Sequence, residues 1–235
     1  MSAAGVTRGL EIDHLVIAAT SLESGTAWCE DKLGVALEPG GRHPRFGTHN
    51  RLLDVSSPRH PRCYLEILAV DPDAQAPTRP RWFGLDDPAL RRELARGPRL
   101  VQWAARVPPG QDVDAIAAEW RAAAADPGEV TAAERMTPGG MLRWRLSVRG
   151  DGVRPFGGAL PALIAWGDVH PSESLPARGV SLASLAVRGL PSVVLAALGA
   201  SVDLLGDPAS AALRIELETP RGRVVLDAPS DIQPC

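Results

Sequence analysis

The sequence predicts an α+β protein built from repeated βαβββ modules, on three observations. Apolar and β-branched runs separated by turn residues mark four strands and one helix, in the order βαβββ, within residues 11–70. The same order returns over residues 99–168. A shorter version returns over 180–228, and a period of this size is sought before any single motif is trusted.

Each element has a local reason. Residues 11–19 (EIDHLVIAA) are apolar, rich in β-branched side chains, and stop at Thr20-Ser21. Ser21 is placed to cap a helix in which Leu22, Trp28 and Leu33 share a face, and Gly34 stands where a helix-ending glycine belongs. A second strand begins at Val35 and is expected to break at Pro39-Gly40-Gly41. Thr48–Val55 and Cys63–Val70 complete the first module. In the second, Leu100–Val107 precedes a helix from Asp112 to Ala123 and the strands Val130–Arg135, Leu142–Val148 and Leu160–Trp166. The third repeats the order from Leu182 to Leu226, with a helix at Ser192–Leu198. Gly139-Gly140 and Gly157-Gly158 read as hairpin turns. Two connectors, 71–98 with a short helix at Pro88–Arg96 and 167–179 with His170-Pro171, are long enough to cover a site.

Composition narrows the class. The 235 residues are 45% hydrophobic and 23% charged, with a net charge of −3 and a pI near 6.0, which is ordinary for a globular protein and lacks the basic excess of a nucleic-acid binder. No apolar run approaches a membrane span, and residues 1–9 carry no apolar leader. Cys29, Cys63 and Cys235 form neither a disulfide framework nor a metal spacing. The expectation is a cytoplasmic protein with a small-molecule ligand and no nucleic-acid or membrane partner. A phosphate loop, a dinucleotide fingerprint and a GxSxG elbow are all missing from the sequence.

Two mid-strand polar residues carry the chemistry. Side chains alternate across a strand, so His14 shares a face with Val16 and Ala18, and Glu66 one with Tyr64 and Leu68. A carboxylate among apolar neighbours has to be ligated, paired or hydrogen-bonded. A divalent metal satisfies both groups; a salt bridge from Glu66 to Arg51 or Arg106 satisfies the glutamate alone. Of the six tryptophans, Trp82 and Trp166 are candidate pocket walls. The segment Gly40–Asn50, with three glycines and with His43 between Arg42 and Arg45, is expected to be a mobile flap whose arginines suit an anionic ligand group.

Asp13-His14-Leu15-Val16, Gly34-Val35, Pro39-Gly40-Gly41 with His43, Gly47-Thr48 with Asn50, and Tyr64-Leu65-Glu66 together resemble the glyoxalase-like branch of the vicinal oxygen chelate superfamily. The resemblance is strongest over 11–70 and fades over 99–168. It implies that two modules curl side by side into a curved mixed sheet, a cup with metal ligands on the first and fourth strands of each module. The ion is zinc, nickel, iron or manganese, and some members have none. On this resemblance His14, Gln102 and Glu66 are the candidate metal ligands. Aligning Leu160–Trp166 with the fourth strand puts Ala165 opposite Glu66, where alanine cannot ligate. Glu66 and His43 are the candidate proton-moving groups, and Thr48, Asn50, Arg45, Tyr64, Trp166 and His170 the candidate ligand-binding ones. His49, next to Asn50 on the strand, is expected to point away.

Two functions follow. One is a metal-dependent lyase or isomerase acting on a small oxygenated metabolite. The other is the same cup without metal, sequestering a small compound. A third, unpaired module would leave a sheet face open, which packing on its own chain or a homodimer would cover.

Overall fold

The computed structural model describes residues 9–137, 140–207 and 209–229. Residues 1–8 of the segment read as lacking an apolar leader, Gly139 of the first glycine pair, and Cys235 lie outside the described residues.

The first module runs β1 (Glu11–Ala18), α1 (Leu22–Leu33), β2 (Glu38–His43), β3 (Thr48–Asp54) and β4 (Tyr64–Val70). Ser21 caps α1 in a reciprocal capping box with Ser24, and Gly34 closes it at φ 77°. The connector forms α2 (Pro88–Leu94). The second module runs β5 (Arg99–Arg106), α3 (Val113–Ala122), β6 (Glu129–Thr137), β7 (Gly140–Val148) and β8 (Ala162–Trp166). These strands form one strongly curled mixed sheet in the order β2-β3-β4-β1-β5-β8-β7-β6. β1 lies parallel to β4 and antiparallel to β5, which in turn lies parallel to β8. The two modules therefore meet at β1–β5 with β2 and β6 as the outer edges.

β2 runs straight through Pro39-Gly40-Gly41, where the sequence predicted a break. An edge strand needs only one row of hydrogen bonds, so a proline is tolerated there, and the pairing with β3 shifts between Pro39 and Arg42 to absorb the irregularity. The segment 40–50 is thus a hairpin of the sheet and not a free flap. A Cβ on Gly40 would lie 2.1 Å from the Asn50 amide oxygen, so this glycine permits close strand packing. Gly157-Gly158 closes a short 3-10 turn (Pro155–Gly158) instead of a hairpin.

The third segment holds β9 (Ser181–Val187), α4 (Ser192–Leu198), β10 (Asp203–Leu204), β11 (Leu213–Thr219) and β12 (Gly222–Asp227). The elements come in the expected order, but the sheet order is β10-β9-β11-β12, unlike the β2-β3-β4-β1 order of the first module. Its apolar face (Leu182, Leu185, Leu213, Ile215, Leu217) joins one core with Leu15, Ile17, Leu65, Ile67 and Trp103 on the outer face of the curled sheet and with residues of α1 and α3. Its other face carries Arg214–Asp227 and Arg223–Glu218 ion pairs. The chain itself thereby covers the sheet face whose exposure would have argued for a dimer.

The inner face of the curled sheet has a separate, smaller core. Val16, Ala18, Leu68, Val101, Ala104, Ala162 and Ile164 pack against Trp82, Phe83, Leu85, Leu90 and Leu94 of the 71–98 connector. The connector therefore enters the cup. Among the described residues no helix is long and apolar enough to cross a membrane.

Candidate functional site

A cavity of about 50 Å³, measured as room for the centres of water-sized spheres, opens on the inner face. His14, His43, Asn50, Glu66 and Arg135 supply its polar wall, and Tyr64, Trp82, Trp144 and Trp166 most of its aromatic one.

His14 faces the cavity by alternation with Val16 and Ala18, and a bulge in β1 brings Asp13 to its side. Ile12 pairs with Ala105 and His14 with Ala104, which leaves Asp13 as an extra residue without a partner on β5. The bulge breaks strict alternation and turns Asp13 inward beside His14, while Ile12 stays on the outer face. Asp13 is fully buried. Its Oδ1 lies 2.7 Å from His14 Nδ1, and its Oδ2 accepts from Trp166 Nε1 at 2.9 Å and from Arg106 Nη1 at 3.3 Å. His170 Nε2 stands 2.9 Å from the same oxygen. The His170 Nδ1 accepts from the Ser172 backbone N–H at 3.2 Å, so Nε2 carries the proton and donates to Asp13. Burial by itself would raise the Asp13 pKa, but the hydrogen bonds from His14 and His170 and the two imidazoles' positive character outweigh it and hold the carboxyl well below the usual carboxylate range.

An ionised Asp13 fixes the His14 tautomer. Nδ1 carries the proton that Asp13 accepts, and in the neutral ring Nε2 is left as a bare acceptor. Tyr64 stacks on the imidazole at 4.8 Å between centroids. The Tyr64 phenol is pushed well above its ordinary pKa by burial and by the carboxylates Asp13 and Glu66, so it remains protonated. Glu66, on β4 opposite Val16, holds its Oε2 3.9 Å from His14 Nε2. Its Oε1 accepts from the Asn50 side-chain amide, and the Asn50 oxygen accepts from the Gly41 N–H at 2.6 Å. No bridge joins Glu66 to Arg51 or Arg106; Arg106 is committed to Glu11 and Asp13.

His43 stands on the other side of the pocket, edge-on to Trp82 at 5.0 Å, with Nδ1 3.2 Å from Thr48 Oγ1. Burial, helped by the positive Arg135 and the imidazoles of His14 and His49, lowers its pKa to about 4 against the opposing pull of Glu66. It is neutral at physiological pH.

Several expected site residues lie elsewhere. Thr48 is buried behind His43. His170 supports Asp13 from behind and does not line the cavity. Arg45 is exposed, its guanidinium carbon 5.9 Å from the Phe46 ring centre. Arg42 pairs with Asp71 and Asp73. His49 alternates away and lies 3.9 Å from Asp71.

Gln102 faces the inner side but opens on a neighbouring pocket with Ser147 and Ala162; Trp82 and Phe83 line both spaces and stand between them. Its amide oxygen turns back to accept from the Trp103 N–H at 3.0 Å. The register also corrects the fourth position. Glu66 pairs with Val16, and Val16 and Ala104 are exchanged by the same pseudo-two-fold that exchanges His14 with Gln102, so the counterpart of Glu66 is the Ala104 partner Ala162. Ala165 packs on the outer core.

These positions decide whether a divalent ion fits. A catalytic metal of this kind uses three protein donors at about 2.0–2.2 Å. His14 and Glu66 offer two. Gln102 is screened by the aromatic wedge and Ala162 has no donor, so the residues present fall short of a metal site. Among the described residues no group of three or more His, Cys, Asp or Glu is placed to hold one.

Sequence reasoning missed Asp13, Arg135 and Trp144. Alternation assigns Asp13 to the face opposite His14, and only a bulge, which leaves no residue signature here, reverses that. Arg135 sits in a strand rich in exposed residues and reads as solvated.

The curled sheet of paired modules is the fold of the vicinal oxygen chelate superfamily. A model of the glyoxalase-like domain matches residues 12–202, and the chain belongs to that family. No curated protein matches it. Among solved structures it is similar to a hypothetical protein from Staphylococcus aureus, at 16% identity over 93% of this chain and 86% of that one, with a TM-score of 0.50. Methylmalonyl-CoA epimerase from Mycobacterium tuberculosis matches at 20% identity over 71% of this chain and 91% of its own, with a TM-score of 0.37. A Streptomyces coelicolor methylmalonyl-CoA epimerase variant matches at 22% identity over 69% and 99%, with a TM-score of 0.40. These likenesses concern the fold.

Proposed function

We propose that the cavity is the active site of an isomerase- or lyase-type enzyme that moves a proton on a small oxygenated metabolite, with His14 as the base. The observation that carries this is the Asp13–His14 couple: a buried, ionised carboxylate fixes one imidazole nitrogen and leaves the other bare in the cavity beside Glu66. His14 Nε2 takes a proton from the carbon next to a carbonyl, and the electron pair moves onto the carbonyl oxygen as an enolate. The imidazolium, stabilised by Asp13, returns the proton to the same or the neighbouring carbon. Glu66, held by Asn50, is the second proton carrier. No step passes through a metal ion, for which the donors are too few.

The test is proton exchange. Protein is incubated in D2O with 2-hydroxy- and 2-oxo-carbonyl compounds, and deuterium entry at the carbon next to the carbonyl is followed by proton NMR. The expected result is exchange with the wild type and a loss of about 10²–10⁴-fold in His14→Gln. Exchange that survives His14→Gln ends the reading. The aromatic wall of Trp82, Trp144 and Trp166 favours one alternative, a binding protein without chemistry; tight binding with no exchange on any probe would support it.

A further inference from the structure

The two edges of the curled sheet meet at one arginine. Arg135 lies on the edge strand β6, opposite Leu142 of β7, whose side chain also lines the cavity. Its guanidinium crosses the mouth of the cup to the other edge, β2, and lies on Gly41: a Cβ there would be 1.6 Å from Arg135 Nη1 and 2.3 Å from Cζ. The bare glycine is what makes room for it. Arg135 Nη1 is buried and has no hydrogen-bond partner among the described residues. A buried charged donor without an acceptor is costly, and a guanidinium does not escape the cost by losing its proton. The carboxylate nearest in the cavity, Glu66, is already engaged by Asn50 and His14.

We propose that Arg135 is the anion anchor of this cavity and that its ligand is a small monocarboxylate, a 2-hydroxy or 2-oxo acid with an apolar tail. The proposal deepens the proton-transfer reading and rests on it for the placement at His14 of the proton-bearing carbon, C2 of a 2-hydroxy acid or C3 of a 2-oxo acid. Three features fix the class. A planar carboxylate matches the two-pronged face of a guanidinium. Arg135 is the one arginine or lysine among the residues that line the cavity, and Glu66 adds a negative charge of its own, so a single-charged ligand is favoured over a phosphate dianion. Trp144, Trp166, Leu142 and Leu146 offer a hydrocarbon surface for a tail. The other arginines near the mouth do not compete: Arg42 is paired with Asp71 and Asp73, Arg106 with Glu11 and Asp13, and Arg45 points outside.

The probes are 2-hydroxy-4-methylpentanoate and its neutral primary amide, titrated by calorimetry into the wild type, Arg135→Met, Arg135→Lys and Gly41→Ala. The acid is expected to bind wild type at least tenfold more tightly than the amide. Arg135→Met removes the preference, Arg135→Lys keeps part of it, and Gly41→Ala, which displaces the guanidinium without changing its charge, weakens the acid about tenfold. Equal affinities in wild type, no binding of the acid at millimolar concentration, or a preference that survives Arg135→Met each overturn the proposal. His14→Gln separates the two claims. If that variant still prefers the acid and wild type shows no exchange, the anchor stands and the proton-transfer reading falls. If wild type exchanges deuterium into acid and amide alike, the reading stands and the anchor falls.

Discussion

The two halves of the cup share a backbone plan and differ in what they carry. In the first half, β1 and β4 present His14, Tyr64 and Glu66, and β3 adds Asn50 to hold the glutamate. In the second half the matching positions on β5 and β8 are Gln102, turned to its own backbone, and Ala162, and the space beside them is filled by Trp82 and Phe83 from the connector. Phe83 is held at φ 56°, a left-handed conformation that costs an L residue about 1–2 kcal/mol, so the wedge is maintained against local strain. The second half contributes walls, Trp144 and Trp166, and one cation, Arg135. A duplicated scaffold needs reactive groups on only one side when the other side supplies shape and charge.

Asp13 is where the halves are tied, and its loss gives the largest expected effect. It sits on β1 but is bonded to Arg106 of β5, Trp166 of β8 and His170 beyond it. Asp13→Asn keeps the shape and removes the charge, leaving Arg106 and His170 facing a neutral amide. Breaking one partner of a buried charge network costs about 3–5 kcal/mol. Urea unfolding should show this loss; a loss below 1 kcal/mol would mean that the second half does not depend on Asp13. Trp82→Ala probes the wedge from the other side. Trp82 is 6% exposed and stacks on Phe46 at 4.1 Å and Phe83 at 5.0 Å. Truncation should cost about 3–5 kcal/mol and join the Gln102 pocket to the main cavity. Unchanged stability would show that the cup does not need the connector.

The pH profile gives a smaller effect, carried by two histidines of the first half. His43 in the cup and His60, buried beside the first module's β3–β4 turn, are both lowered from 6.5 to about 4, chiefly by burial and secondarily by cations, Arg135 for His43 and Arg59 for His60. Above pH 6.5 neither the folded nor the unfolded chain protonates them, and stability is flat. Between pH 6.5 and 4 the unfolded chain takes up protons that the native histidines refuse, so stability falls as pH falls, and below 4 their effect levels off. His43→Asn should remove about one proton from the slope in that window and leave the His60 share. An unaltered slope would place the His43 ring in water. Asp13 acts lower: its depressed pKa gives stability that is present above about pH 4 and lost as the pH drops further.

How much of this was legible depends on whether one strand decides the feature or several do. The first module, its helix caps and the inward face of His14 and Glu66 follow from alternation and local turn chemistry, and the structure has them at Ser21, Gly34, β1 and β4. The continuation of β2 through Pro39-Gly40-Gly41 was not legible, because edge position is a property of the whole sheet. The bulge at Asp13 depends on the β1–β5 register, and the turn of Gln102 away from the site depends on a wedge 20 residues upstream in sequence. Ala162, and not Ala165, is the counterpart of Glu66 because the first part of the predicted strand Leu160–Trp166 is outside β8 and the pairing starts at Ala162.

The smallest expected effect tests the same contrast at a single residue type. Arg45 and Arg135 are both arginines near the cup; position in the sequence favours the first and the three-dimensional structure the second. Arg45 lies in the turn between β2 and β3, exposed, with no carboxylate partner among the described residues and a guanidinium 5.9 Å from the Phe46 ring centre. An exposed cation over a ring contributes about 0.5–1 kcal/mol at most, and a surface arginine without further contacts is usually within about 0.5 kcal/mol of neutral on replacement. Arg45→Ala should therefore leave urea midpoints and calorimetric affinities for 2-hydroxy-4-methylpentanoate near wild type, while Arg135→Met removes the preference for the acid. A fivefold or larger loss of affinity in Arg45→Ala would bring the β2–β3 turn over the mouth of the cavity in the liganded protein, and the charge that recognises the ligand would then belong to the first half of the cup as well as the second.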